Sequence, residues 1–184
     1  MAMPGSQRTV QRLVDEYYAA LYRYAYRLTG AAADAEDLTQ EAFCKAQLNL
    51  NQLRDPARSR PWLFSILRNA YLHRVRTERH VIRIPLDSTA DIPETTTEVD
   101  LPPEVDPERL QTALSELDEG FRTPVILFYF EDFSYRDIAD QMDLPIGTVM
   151  SRLARAKSHL RSRLLMTPAV GAADTRERRA NDGL

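Results

Sequence analysis

A short segment near the carboxyl end of the chain combines cations with small and hydroxylated side chains. It reads LPIGTVMSRLARAK and occupies residues 144–157. Arginine can donate two hydrogen bonds to guanine, and serine or threonine can reach a base or a phosphate. The small residues between them would let a helix backbone come close to the base edges. The candidate DNA-binding residues of this segment are Thr148, Met150, Ser151, Arg152, Ala154, Arg155 and Lys157.

Two helices are needed to hold such a segment against DNA. Ser134 and Asp137 have the spacing of a capping box, which predicts that a helix begins there. Asp143 and Leu144 supply a turn, and the helix that follows repeats apolar residues at spacings of three and four. These inward-facing residues are Val149, Leu153, Ala156 and Leu160. Two short helices joined by a short turn describe a helix-turn-helix, so the face opposite this stripe would enter the major groove.

The net charge of −3 hides three unlike segments. Residues 58–83 hold seven arginines and one acid, and residues 134–165 hold six lysines and arginines against three aspartates. Between them, residues 84–108 hold eight acids and no lysine or arginine. Two basic segments around one acidic segment indicate an anionic partner for the basic segments and a different task for the middle.

The rest of the chain predicts an all-α fold of two small helical domains, because it shows helical periodicity and no alternating strand pattern. In the first domain, helices are predicted from Thr9 to Thr29 and from Asp34 to Leu48, and a third opens at Pro61. In the second domain, helices are predicted to begin at Asp106–Pro107 and at Thr123–Pro124, ahead of the helix-turn-helix. The predicted division is a first domain at 1–83, an acidic flexible linker at 84–105, a helix-turn-helix domain at 106–166 and a disordered tail at 167–184.

Composition argues against several classes of protein. Cys44 is the single cysteine, which excludes an internal disulfide and, with no histidine nearby, gives little support to a metal site. No cofactor is expected. No apolar run approaches the ~20 residues that span a bilayer, and the N-terminus lacks the apolar core of a signal peptide. We therefore expect a cytoplasmic protein without membrane insertion.

Three segments together resemble one family. They are DAEDLTQEAFCKA at 34–46, RPWLFSILRNAYL at 60–72 and FSYRDIADQMDLPIGTVMSRLARAK at 133–157. In this order and spacing they resemble bacterial RNA polymerase sigma factors of the sigma-70 family, in the extracytoplasmic-function (ECF) subgroup. The resemblance covers roughly residues 10–165. It implies a transcription initiation subunit without enzymatic activity or a small-molecule substrate, in which the first domain is sigma region 2 and the second is region 4.

The resemblance also implies partners and sites. Core RNA polymerase would be bound through the clamp helices of its largest subunit and through its flap, and an anti-sigma factor would hold the protein inactive. The family's polymerase-contact helix matches Asp37, Gln40 and Glu41. In the helix-turn-helix, the face of the second helix opposite its apolar stripe would read the −35 element of promoter DNA. The residues that match the family's −10 element site are Arg60, Arg68, Asn69, Leu72, His73 and Arg76.

Several alternatives stay open at this stage. Trp62 could stack on a base, although its place on the apolar face of the third predicted helix favours a packed core residue. Asp143 stands where many relatives have glycine, but aspartate tolerates the left-handed conformation of a turn better than most residues. The first competing function is a stand-alone helix-turn-helix transcriptional regulator. The second is an enzyme that holds a metal with the acids of residues 34–41, which lie on one helix start and so do not converge.

Overall fold

The computed structural model of the chain describes residues 4–81 and 106–165, and the regular elements of these residues are all helical. Their α-helices are α1 (Pro4–Thr29), α2 (Ala32–Leu48), α3 (Ser59–Val81), α4 (Pro107–Ser115), α5 (Glu119–Tyr129), α6 (Tyr135–Met142) and α7 (Ile146–Leu165). Two short 3-10 turns, Leu50–Gln52 and Pro56–Arg58, connect α2 to α3. The predicted linker at 84–105 and the predicted tail at 167–184 lie outside the described residues. The all-α prediction is confirmed.

Helices α1 to α3 form the first unit. One side of α1 is buried at Leu21, Tyr24 and Leu28, and α2 and α3 pack on that side. Gly30 ends α1, since its φ of 77° is a left-handed conformation that glycine adopts readily. The helix begins at Pro4, five residues before the predicted start. Burial of small residues along α2 lets the three helices approach closely, and its buried set is Ala35, Leu38, Thr39, Ala42, Phe43 and Ala46.

Helices α4 to α7 form the second unit, and local signals set most of its boundaries. The Asp106 side chain accepts the Glu108 N–H at the start of α4. The capping box of Ser134 and Asp137 begins α6, as predicted. Asp143 has a φ of 52° and a ψ of 51°, so the turn keeps the left-handed conformation that glycine would have. The inward face predicted for α7 is buried at all four positions, Val149, Leu153, Ala156 and Leu160.

Helix α5 departs from the prediction. It was expected to begin at Thr123–Pro124, yet it begins at Glu119 and carries Pro124 inside it. A proline has no N–H, so the carbonyl four residues earlier, that of Gly120, loses its helical donor. The Arg152 guanidinium donates to this carbonyl instead, over 3.2 Å. Because the Arg152 side chain, 32 residues from Gly120, supplies the missing donor, the helix continues through the proline.

An apolar contact joins the two units. Phe133, which lies between α5 and α6, packs against Phe64 of α3 with ring centroids 5.0 Å apart. Phe64 in turn stacks on Tyr24 of α1 at 5.1 Å. All three side chains are buried. The cores of the two units therefore form one continuous cluster in this arrangement.

Polar contacts extend the same interface. The last carbonyls of a helix have no partner within it and must be satisfied from outside. Near the end of α1, the Arg27 carbonyl accepts from the Gln111 amide at 3.2 Å and the Leu28 carbonyl accepts from Arg122 at 2.9 Å. Both donors belong to the second unit. The second unit thus caps a helix of the first.

Glu131 is the buried charge of this interface. Its side chain is 1% exposed, and its Oε2 lies 3.7 Å from Nη2 of Arg60. Arg60 also donates to the Glu131 backbone carbonyl and lies over the Phe133 ring at 4.9 Å. Burial raises the pKa of the Glu131 carboxyl, and the positive charges of Arg23, Arg27 and Arg60 only partly offset this. The pair therefore carries a net desolvation cost.

This cost predicts a pH-dependent effect of Glu131→Gln. At low pH the Glu131 carboxyl is protonated in the folded and the unfolded protein, so burying it carries no charge-desolvation cost. Because its pKa is raised in the folded protein, wild type loses stability as the pH rises and the buried carboxyl must ionise. The free energy of unfolding of Glu131→Gln relative to wild type should therefore increase between pH 4 and pH 8, measured by urea denaturation at each pH. The exposed Glu108→Gln is the control. A relative stability that falls with rising pH would contradict the assignment.

Candidate nucleic-acid interface

The turn before α7 positions that helix. The Leu144 N–H donates to the Ala139 carbonyl at 3.0 Å and closes the turn after α6. The Pro145 carbonyl then accepts from Thr148 and Val149 at 2.9 and 3.2 Å, which starts α7 with its apolar stripe against α5 and α6. The proline lies just before the helix, where its missing N–H costs nothing. The opposite face of α7 is left toward solvent.

The exposed face of α7 carries uncharged side chains along its first turns. Met150 is 51% exposed, and Ser151 and Ala154 are exposed one turn apart along the same strip. A side chain at Gly147 would meet nothing within 4 Å, so the space beside it is open. Arg161 is exposed further along the helix. A strip of this kind lets the backbone approach base edges, while thymine methyls suit Met and Ala and the later cation suits a phosphate.

The other four candidates on α7 lie at the sides of this strip. Thr148, Arg152, Arg155 and Lys157 are half-buried. Arg152 turns back toward α5, where it donates to Gly120 as described above. Sequence reasoning placed Arg152 among the DNA contacts and missed this contact. The sequence signal for this contact was Pro124, since a proline inside a helix leaves the carbonyl of Gly120 in need of another donor.

The candidates on α3 fall into two groups. Asn69, His73 and Arg76 are exposed, and Leu72 beside them is half-buried. Arg60 and Arg68 lie nearer the start of α3 and contact the second unit. The exposed group of Asn69, His73 and Arg76 thus offers an amide and a cation that suit a base edge and a phosphate.

Arg68 is held by two elements of the second unit. Its Nη2 lies 3.6 Å from Oε1 of Glu119 at the start of α5, and its Nη1 donates to the Gln141 carbonyl of α6 at 3.3 Å. Its side chain is only 13% exposed. The Gln141 amide donates in return to the Pro61 carbonyl at 3.1 Å. No sequence pattern links these residues, which lie 51 to 80 positions apart.

A cavity of about 330 Å³ lies beside these contacts, between the loop that precedes α3 and helix α6. Trp62, half-buried and packed on the core, forms part of its wall. The loop contributes Arg54 and Arg58, and α6 contributes Asp137 and Asp140. Trp62 thus packs on the core, as the packed-core interpretation expected, and its stacking on a base stays a prediction.

The candidates on α2 differ in exposure. Asp37 and Gln40 are exposed. Glu41 is half-buried, because Arg74 of α3 donates to it twice, at 2.9 and 2.7 Å, and Lys45 lies 2.8 Å away. The hydrogen bond from Lys45, followed by that from Arg74, holds the pKa of the Glu41 carboxyl below its ordinary value. Glu41 thus ties α2 to α3, a role that sequence reasoning missed.

Within residues 4–81 and 106–165, no helix is long and apolar enough to cross a membrane. Across the same two ranges, no group of three or more histidines, cysteines, aspartates or glutamates could hold a metal ion.

Comparisons with known proteins match both units. The family model for sigma-70 region 2 matches residues 13–81, and that for sigma-70 region 4 matches residues 108–160. The ECF RNA polymerase sigma factor SigL of Mycobacterium tuberculosis is 34% identical over 83% of this chain and 86% of its own length. SigW of Bacillus subtilis is 26% identical over 87% and 91%. The sigma factor RpoE of Bartonella quintana, solved with the anti-sigma factor NepR, has a TM-score of 0.68 at 27% identity, covering 86% of this chain and 98% of that one.

Arg152→Ala should destabilise the second unit. The substitution removes the guanidinium that donates to the Gly120 carbonyl. This half-buried carbonyl is then left without a donor, which lowers the free energy of unfolding by about 1–2 kcal/mol. Arg161→Ala makes the same change at an exposed position of the same helix and should stay within about 0.5 kcal/mol of wild type. Urea denaturation followed by circular dichroism measures both. Equal stabilities of the two variants would argue against a structural role for Arg152.

Proposed function

The chain belongs to the ECF group of RNA polymerase sigma factors. We propose that its two units bind different parts of the polymerase and the promoter during transcription initiation. As an alternative sigma factor it binds core RNA polymerase and directs it to promoters. The first unit is region 2, which contacts the polymerase clamp helices and the −10 element. The second unit is region 4, which contacts the −35 element and the flap. The protein acts by binding polymerase and promoter DNA, in the cytoplasm where the polymerase is found.

One observation carries this division, namely that two separate helices of the chain leave a nucleic-acid-compatible face exposed. The strip of Met150, Ser151 and Ala154 lies on α7, and the group of Asn69, His73 and Arg76 lies on α3. A stand-alone regulator, the alternative function, needs one such face and a dimer or ligand surface beside it. Two faces on one chain instead suit a protein that holds two promoter elements.

For the −35 element we propose that the strip of α7 reads the bases, that Thr148, Arg155 and Lys157 contribute from its sides, and that Arg152 supports the helix from behind. For the −10 element, Asn69 contacts an unpaired base while Arg76 follows the phosphates. Arg60 and Arg68 join this site only after they leave their partners in the second unit.

For the polymerase contact, Asp37 and Gln40 are exposed on α2 and suit a basic coiled coil. Glu41 supports them by fixing α2 on α3. The solved relative RpoE forms a complex with an anti-sigma factor. We propose that a protein of this class also holds the present chain.

Transcription in vitro tests the function as a whole. The purified chain with core RNA polymerase should give specific transcripts from fragments of the source genome, whereas the chain alone should bind promoter duplex weakly. Tight duplex binding by the chain alone, without any contact to core polymerase, would favour the stand-alone regulator.

Ala154→Glu tests the reading strip. The position is exposed, so folding should be unaffected, but a carboxylate there would repel DNA at the centre of the strip. We expect −35-dependent transcription to fall by at least about tenfold, the size of one lost base contact. Thr112→Glu makes the same charge change at an exposed position of α4, away from the strip, and should give wild-type transcription. The Ala154→Glu variant should also bind core polymerase as tightly as wild type does. Normal transcription by Ala154→Glu would mean that the strip does not face the groove.

A further inference from the structure

We propose that the exposed strip of α7 selects thymine in the −35 element, with Met150 and Ala154 contacting the C5 methyl groups of two nearby thymines. The inference rests on the proposed function, because it takes α7 as the helix that enters the major groove at the −35 element. It goes beyond that function by naming the base that the strip prefers. A strip with arginine at its centre would instead select guanine.

Met150 and Ala154 place apolar surface where a base edge would meet the helix. Met150 is 51% exposed, and Ala154 is exposed one turn later. Neither side chain can donate a hydrogen bond, so neither can recognise the acceptor atoms O6 and N7 of guanine. Thymine presents its C5 methyl in the major groove, and apolar side chains contact this group. The unbranched Met150 side chain can also adapt its shape to a methyl.

The polar groups beside these two residues do not make a guanine site at the centre of the strip. The Ser151 hydroxyl donates to the Thr148 carbonyl at 3.0 Å, so it offers a base an oxygen acceptor rather than a hydrogen. The Arg152 guanidinium donates to the Gly120 carbonyl of α5. Adenine, the partner of thymine, presents its N6 amino donor in the major groove. An A·T pair thus matches both the apolar surface of the strip and the oxygen of Ser151.

The charge of α7 favours DNA over an apolar protein surface as the occupant of the strip. Arg155 and Lys157 lie half-buried at its sides, and Arg161 is exposed further along the helix. The sequence of α7 contains no acidic residue. Cations around an apolar strip can bind phosphates on either side of a base contact, and such phosphate contacts fix the register of a protein on the duplex.

The spacing of the two residues limits where the thymines lie. Residues four positions apart in an α-helix are about 6 Å apart along its axis. Successive base pairs of the duplex are about 3.4 Å apart. The two thymines should therefore lie within roughly two base pairs of each other.

The test uses the full chain assembled with core polymerase, on a promoter fragment that gives a specific transcript. Each thymine of the −35 element, on either strand, is replaced in turn by deoxyuridine, which lacks the C5 methyl and still pairs with adenine. Competition against the parent fragment measures the affinity of the holoenzyme for each probe. Because each protein is compared with itself on two probes, any effect of a substitution on folding cancels.

Two variants and one matched control are compared with wild type. Met150→Ala and Ala154→Gly each remove one of the proposed methyl contacts. Leu165→Ala is the control, because Leu165 is an apolar side chain at the end of the same helix and is 53% exposed, close to the 51% of Met150.

Wild type should lose about three- to fivefold in affinity when either contacted thymine becomes deoxyuridine, since the contact then buries one methyl less. Met150→Ala should abolish this loss at one position and keep it at the other, Ala154→Gly should do the reverse, and Leu165→Ala should keep both. A −35 element without thymine, equal affinity of wild type for every probe, or a methyl effect that both variants retain would overturn the inference. A holoenzyme that forms no complex with the parent fragment would contradict the proposed function, and this inference with it.

Discussion

The packing of Phe133 against Phe64 is the contact on which the placement of the two units depends. It joins the second unit to the centre of the first, because Phe64 rests on Tyr24 of α1. Arg60 covers the Phe133 ring and reaches Glu131. The other contacts between the units include those of Arg68 with Glu119 and Gln141 and that of Arg122 with the end of α1.

This interface is not built for the greatest stability. Glu131 is a buried carboxylate whose pKa is raised, and a buried ion pair often costs as much in desolvation as it returns in attraction. Removing the charge while keeping the shape should help the fold. A contact that carries such a cost can be broken by a competing partner of modest affinity, which suits a protein that must present two faces to the polymerase and its promoter.

Local signals predicted much of the second unit. The capping box of Ser134, the left-handed turn at Asp143 and the stripe of α7 depend on residues within a few positions of one another, so the sequence displays them directly. The start of α5 was predicted wrongly because its continuation past Pro124 depends on Arg152 of a different helix. Of the binding surfaces, the sequence indicated the exposed residues of α3 and α7, and their roles remain predictions. It could not indicate that another helix engages Arg68 or Glu41, since Gln141 lies 73 positions from Arg68 and Arg74 lies 33 positions from Glu41.

The central claim is that Phe133 of the second unit rests on Phe64 of the first in the free chain and leaves it when the sigma factor engages polymerase. Nuclear Overhauser contacts between the two rings, selectively labelled in the full chain, test this most directly. The account predicts that the contacts are present in the free chain, where the centroids lie 5.0 Å apart, and vanish when core polymerase is added. Their absence from the free chain, or their persistence in the complex with polymerase, would contradict it.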